Sequence, residues 1–224
     1  MQRKLVNPLW MERSKDGELM TDVFARLVRD RIIFLVGEIS QEEASIIVAM
    51  LFLLDNQDSK KDINLWIYSE GGDVNGFFAI YDAMQLVKAP IRTICFGAAS
   101  SAAAMLLAAG SPGKRHCLPN SYVMIHQIQI SGVGGTGTEV EIEAREVKKV
   151  KKRLNQILAR HTGQTESKIK RDCEHDRYME ATEARNYGLV DSIMGPTKEI
   201  PELKTRTKKV KTEEPKQGSD DKGS

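Results

Sequence analysis

A chain of 224 residues, 41% of them hydrophobic, is long enough to bury the core of one ordinary domain or two small ones, which excludes global disorder. Lys and Arg number 33 against 31 Asp and Glu, a net charge of +2 that is too small to make a phosphate backbone the main partner, so nucleic acid is not expected. Three cysteines, Cys95, Cys117 and Cys173, are odd in number and lack metal-ligand spacing; they fit a reducing compartment, and neither a metal nor a cofactor is expected.

The amino terminus starts basic, but Glu12, Asp16 and Glu18 follow before any apolar stretch develops, so no signal peptide is read. From residue 31 the pattern alternates. Apolar, β-branched runs at 31–37, 63–69, 91–98 and 121–127 predict strands, and the stretches between them at 41–56, 75–88 and 101–110 predict helices. This is the grammar of a layered α/β domain built from β-α-β units. The longest uncharged stretch, 93–113, is interrupted by serines, glycines and Pro112, so no transmembrane helix and no membrane partner are expected. Residues 131–138 are Gly-rich and supply pliant chain. After them Val147, Val150, Leu154, Ile157 and His161 recur three or four apart, predicting one long amphipathic helix over 139–161 whose basic run, Lys148 to Arg153, reads as a solvated face. The last thirty residues carry 8 Lys or Arg, 6 Asp or Glu and only three large aliphatics, so the folded part is expected to end near Met194 and 195–224 to form a disordered charged tail.

Four places offer chemistry. The strand ending near Ala98 runs into Ser100-Ser101 and then a helix of small residues, placing a serine where the free amides of a first helical turn favour a developing oxyanion. Taken alone, such a serine reads as a helix N-cap, and the G-x-S-x-G elbow is absent. His126 follows the apolar strand Tyr122-Val123-Met124-Ile125, where an imidazole at a sheet edge can act as a base. A carboxylate to orient it is available at Asp172 or Asp176, and spacing does not choose between them. The Gly71-Gly72 pair permits close backbone approach at a strand end, with no phosphate-loop or dinucleotide pattern around it.

Together, Ser69-Glu70-Gly71-Gly72, Gly97-Ala98-Ala99-Ser100-Ser101, Cys117-Leu118-Pro119-Asn120-Ser121 through His126-Gln127, Asp176-Arg177-Tyr178 and Tyr187-Gly188-Leu189-Val190-Asp191 resemble the proteolytic subunit of the Clp protease over about residues 5–194. The resemblance implies an α/β, crotonase-like fold with a protruding helix-strand handle, to which 131–137 and the long helix correspond. It implies an N-terminal axial segment at 1–22, a serine peptidase domain at 23–194, and double heptameric rings fed with unfolded polypeptide by an AAA+ Clp unfoldase. Rings of this chain alone and mixed rings with a paralogous subunit both remain open. By position Ser101 is the implied nucleophile, His126 the base and Asp176 the orienting acid, with the amides of Gly72 and Ala102 as oxyanion hole; Asp172 becomes a helix-surface carboxylate. The implied compartment is a bacterial-type cytoplasm or the matrix or stroma of an organelle. Two alternatives stand beside the peptidase: a non-catalytic paralogous ring subunit that docks the chaperone, and acyl-CoA chemistry, which uses the same fold without this triad. The chain departs from the family pattern where Glu70 and Asp73 flank the oxyanion glycines, and where Asn64 and His116 replace aromatic residues of the implied unfoldase dock.

Overall fold

The computed structural model describes residues 9–14, 17–129, 132 and 134–195. An antiparallel hairpin, β1 (Leu9–Ser14) and β2 (Gly17–Asp22), leads into α1 (Val23–Arg29), whose first amides are capped by the Asp22 carboxylate. The sheet proper is built from β3 (Ile32–Ile39), β4 (Ile63–Gly72), β5 (Ile91–Ser100), β6 (Arg115–Cys117), β7 (Tyr122–Ile125), β8 (Arg177–Glu180) and β9 (Ser192–Ile193). Its spatial order is β3-β4-β5-β6-β9, all parallel; β7 also pairs with β5 in parallel, and β8 pairs antiparallel with β7.

The long strand β5 organises the site. One of its edges is shared by two short strands laid end to end: β6 pairs with Thr93 to Cys95 and β7 with Ala98 to Ser100. The core lies on one sheet face. Ile63, Leu65, Ile67 and Ser69 of β4 point inward in strict alternation and are buried by α2 (Gln41–Gln57), α3 (Val74–Leu86) and α4 (Ala102–Ala108). On the opposite face Phe24, Phe34, Trp66, Phe96 and Tyr68 form a chain of ring contacts with centroids 5.7–6.4 Å apart.

The remaining helices are α5 (Gly137–Thr162), α6 (Glu166–Asp172) and α7 (Ala181–Tyr187). α5 opens with a reciprocal capping box between Thr136 and Glu139 and stops at Gly163, which takes the left-handed conformation. Its first ten residues are exposed, and only its later turns pack on the domain. Arg115 locks those turns in place. Its guanidinium donates to the carbonyls of Ala108, His161 and Gly188, near the ends of α4, α5 and α7, while pairing with Asp191 through two further bonds of 3.0 and 2.6 Å.

The four predicted strands and four predicted helices are all present with shifted ends. Arg31 precedes β3 because it turns the chain at φ 64°, its guanidinium held by the carbonyls of Leu54, Asp58, Lys61 and Asp62. The strand predicted to reach Gln127 ends at Ile125, and no strand follows among the described residues before α5. The strand part of the implied handle therefore has no counterpart among them. Residues 130, 131 and 133 and the charged tail from 196 onward lie outside the described residues.

Candidate active site

Ser101 sits between the last residue of β5 and the first of α4, at φ 56° and ψ −124°. That backbone is uncommon for a residue with a Cβ and costs about 1–3 kcal/mol. Its surroundings impose it: the Ser101 amide donates to the Met124 carbonyl of β7 at 2.8 Å, and the buried alanines 102–104 start α4 at once. Ser101 occupies the N-cap position, but its side chain makes no capping bond. Its Oγ lies 2.8 Å from His126 Nε2 instead.

Strand register explains why these groups meet. Ser100 is opposite Met124, so the residue after β5 and the residue that ends β7 stand side by side, and His126 is one step further. Ile125 is opposite Arg177 on the antiparallel β8, which brings Asp176 to the same spot. Asp176 Oδ1 is 3.3 Å from His126 Nδ1, longer than the roughly 2.7–2.9 Å of a tight charge-assisted bond. A proton on Nδ1 facing Asp176 leaves the Nε2 lone pair directed at the Ser101 hydroxyl. Gln129 Nε2 also approaches Nδ1, at 3.4 Å.

Asp172 is elsewhere, and it is not the helix-surface carboxylate expected. Its side chain is only 10% exposed, bonded to Lys168 at 2.7 Å and the Tyr187 hydroxyl at 2.9 Å, with Arg177 at 3.2 Å. Burial opposes its charge, but these donors and cations outweigh it and hold the carboxyl below the usual aspartate range. Of the two carboxylates, Asp176 is the one that faces His126, and Asp172 ties α6 to α7.

The glycine pair closes the other side. Gly71, at φ +98°, is packed so tightly that a Cβ there would fall 2.7 Å from Ser101 Cβ and 3.1 Å from the Ala102 nitrogen. At Gly72 it would fall 2.5 Å from the Ile39 carbonyl oxygen. Gly72, Ser101, Ala102 and His126 line one cavity of about 210 Å³, walled by Val74, Phe77 and Met105. Helix α5 contributes Lys151, Leu154, Asn155 and Leu158 to it, none of them a site residue in the sequence reading, which had Leu154 only in the apolar stripe and Lys151 only in the basic run; their 3-1-3 spacing is one helix face and is the available signal. Lys151 thereby departs from the solvated face expected for the basic run. Cys173 lines the floor, its thiol pushed up to about 11 by burial and then by the neighbouring Asp172.

The departures from the family pattern have local partners. Asp73 caps α3, its carboxylate accepting from the Gly76 amide at 2.7 Å. Glu70 is exposed and borders the cavity. Asn64 donates to the Arg31 carbonyl at 3.4 Å, and His116 Nδ1 lies 2.8 Å from Ser192 Oγ, so neither is left as an unpaired polar group. Burial lowers the His116 pKa, with Arg92 reinforcing it.

The model of the Clp protease family matches residues 15–197, more than three quarters of the chain and the whole of the site just described. The chain belongs to the Clp protease family. Membership makes it a protein like the Clp proteolytic subunit, and the mixed α/β sheet with its seven helices among the described residues is consistent with that family's fold. No helix among the described residues is long and apolar enough to cross a membrane, and no group of His, Cys, Asp and Glu among them is arranged to hold a metal.

Proposed function

We propose that this Clp protease family member is a serine endopeptidase subunit of crotonase-like architecture, cleaving unfolded polypeptide inside a ring-shaped chamber fed by an AAA+ unfoldase. The observation that carries this reading is the contact chain from Ser101 Oγ through His126 to Asp176, with Gly72 and Ala102 lining the same cavity as Ser101 and His126. In the proposed mechanism His126 Nε2 takes the Ser101 proton as Oγ attacks the scissile carbonyl. The amides of Gly72 and Ala102 receive the oxyanion, and the imidazolium, balanced by Asp176, returns the proton to the leaving amine. Water then enters by the same base and releases the acyl group. Residues 23–194 form the peptidase domain in this reading, with 1–22 at the axial entrance and 195–224 as a charged tail.

Ring assembly is supported by apolar surface left uncovered on the isolated chain. Phe24, Val36, Tyr68, Tyr122 and Tyr178 are 41–61% exposed on or near the aromatic sheet face, and Val140 and Ile142 are exposed on the projecting turns of α5. No observation favours the non-catalytic alternative: a serine held at positive φ against an imidazole has no evident structural task. The test is hydrolysis of a fluorogenic peptide and of an unfoldase-delivered protein by the assembled wild type and Ser101→Ala. Loss of both activities in an assembly of unchanged sedimentation supports the reading; equal hydrolysis by the two proteins overturns it.

A further inference from the structure

The ladder of β7 and β8 stops at Ile125 and Arg177, and the two groups that face each other just beyond it, His126 and Asp176, both lie on irregular chain. His126 opens the segment 126–129, and Asp176 ends the link 173–176 between α6 and β8. At 3.3 Å their own contact is longer than a tight charge-assisted bond and is a weak tie between two such segments. The next residue supplies a second tie. Gln127 is half-buried, and its side-chain amide is bonded at both ends: Nε2 donates to the Glu174 carbonyl at 2.9 Å, and Oε1 accepts from the Lys151 ammonium. Lys151 belongs to α5, the helix whose carboxyl end Arg115 fixes through the His161 carbonyl. One amide therefore joins the segment that carries His126, the segment that carries Asp176, and a helix packed on the domain. The cation at its oxygen also settles which way the amide faces, so that its N–H is presented to Glu174.

We propose that Gln127, oriented by Lys151, is a positioning residue that holds His126 and Asp176 in register where the strand ladder no longer does. The inference rests on the peptidase reading, which gives those two groups their roles as base and orienting acid. Gln127 acts through its neighbour His126 on one side and, on the other, through Glu174, two residues before Asp176. Without the tie the link 173–176 is free to swing from His126, the imidazole loses its fixed ring orientation, and removal of the Ser101 proton starts from a poorer geometry.

The experiment uses the assembled protein, with sedimentation checked for every variant. Gln127→Met keeps nearly the same volume and removes both bonds, so it should lower kcat for a fluorogenic peptide by about tenfold or more while KM stays close to the wild-type value. Lys151→Met should cost less, because the bond to Glu174 survives, and Lys151→Arg, which restores a donor, should recover most of that loss. The double variant Gln127→Met with Lys151→Met should be no slower than Gln127→Met alone, since the lysine acts through the amide. Wild-type kcat in Gln127→Met, a rise in KM with kcat intact, or losses that multiply in the double variant each overturn the proposal; the second would make Gln127 a wall of the cavity and nothing more. Hydrogen exchange read by mass spectrometry on Ser101→Ala, with and without Gln127→Met, needs no turnover. Faster exchange across 173–176 on removing the amide is the expected result, and unchanged exchange there overturns the tie. If the wild type hydrolyses nothing but that exchange quickens, the peptidase reading fails and the tie between the two segments stands.

Discussion

Replacing Gly71 by alanine should displace Ser101, the proposed nucleophile, without changing any atom of its own. Gly71 is at φ +98°, and the added methyl would stand 2.7 Å from Ser101 Cβ and 2.9 Å from the Ser100 carbonyl oxygen. Those neighbours are backbone and Cβ atoms, which cannot rotate away as a long side chain does, so the junction of β5 and α4 must move. Backbone strain contributes about 1–3 kcal/mol of destabilisation. The overpacked contact contributes a further loss of about 1–3 kcal/mol. A shift approaching 1 Å in a reacting group costs about a hundredfold in rate. Gly37→Ala is the matched control, since Gly37 has φ +85° but nothing within 4 Å of its missing Cβ, and it should show the backbone cost alone. Both variants are compared by denaturant unfolding and by peptide hydrolysis. If Gly71→Ala unfolds and turns over like Gly37→Ala, the close approach does not position Ser101 and the reasoning fails.

Three further outcomes are expected. Ser100→Ala should retain most activity while Ser101→Ala loses it, read in the same peptidase assay, because Ser100 is buried on β5 and only Ser101 meets His126. Arg115→Lys should lose about 3–5 kcal/mol in denaturant unfolding, because an ammonium cannot serve the Asp191 pair and three helix-end carbonyls together and leaves buried groups unpaired. Asp172→Asn should be less stable than wild type at neutral pH by roughly 2 kcal/mol. Because the folded carboxyl is held below its unfolded value, its stabilisation is present above the ordinary aspartate range and is lost as pH falls through the folded value, so the gap between the two proteins should close in acid.

Much of this architecture was legible because it rests on local pattern. The apolar runs marking β3, β4, β5 and β7 are long enough to announce strands, and the period of Val147 to His161 announces α5. The short strands were not legible: β6 has three residues and β9 two, and each exists only because a neighbouring strand supplies hydrogen-bond partners. The site was readable in parts. A serine at a strand-to-helix junction and a histidine after a strand are visible as residue types, but their meeting depends on Ser100 lying opposite Met124, which is a property of the sheet. Likewise Asp172 and Asp176 differ by four residues in one charged stretch, and only the pairing of Ile125 with Arg177 brings the second to His126. Lys151 was hidden in a basic run because helix rotation, set by packing of the later turns of α5, decides which lysine turns inward.

Activation of Ser101 as a nucleophile is read out by active-site labelling. The assembled protein is treated with a fluorophosphonate, digested and mapped by mass spectrometry, with His126→Ala and Ser101→Ala in parallel. A single adduct on Ser101 in wild type, absent from Ser101→Ala and lost or greatly slowed in His126→Ala, is the predicted result. No adduct on wild-type Ser101 under conditions where the assembly is intact, or labelling as fast without His126, would contradict it.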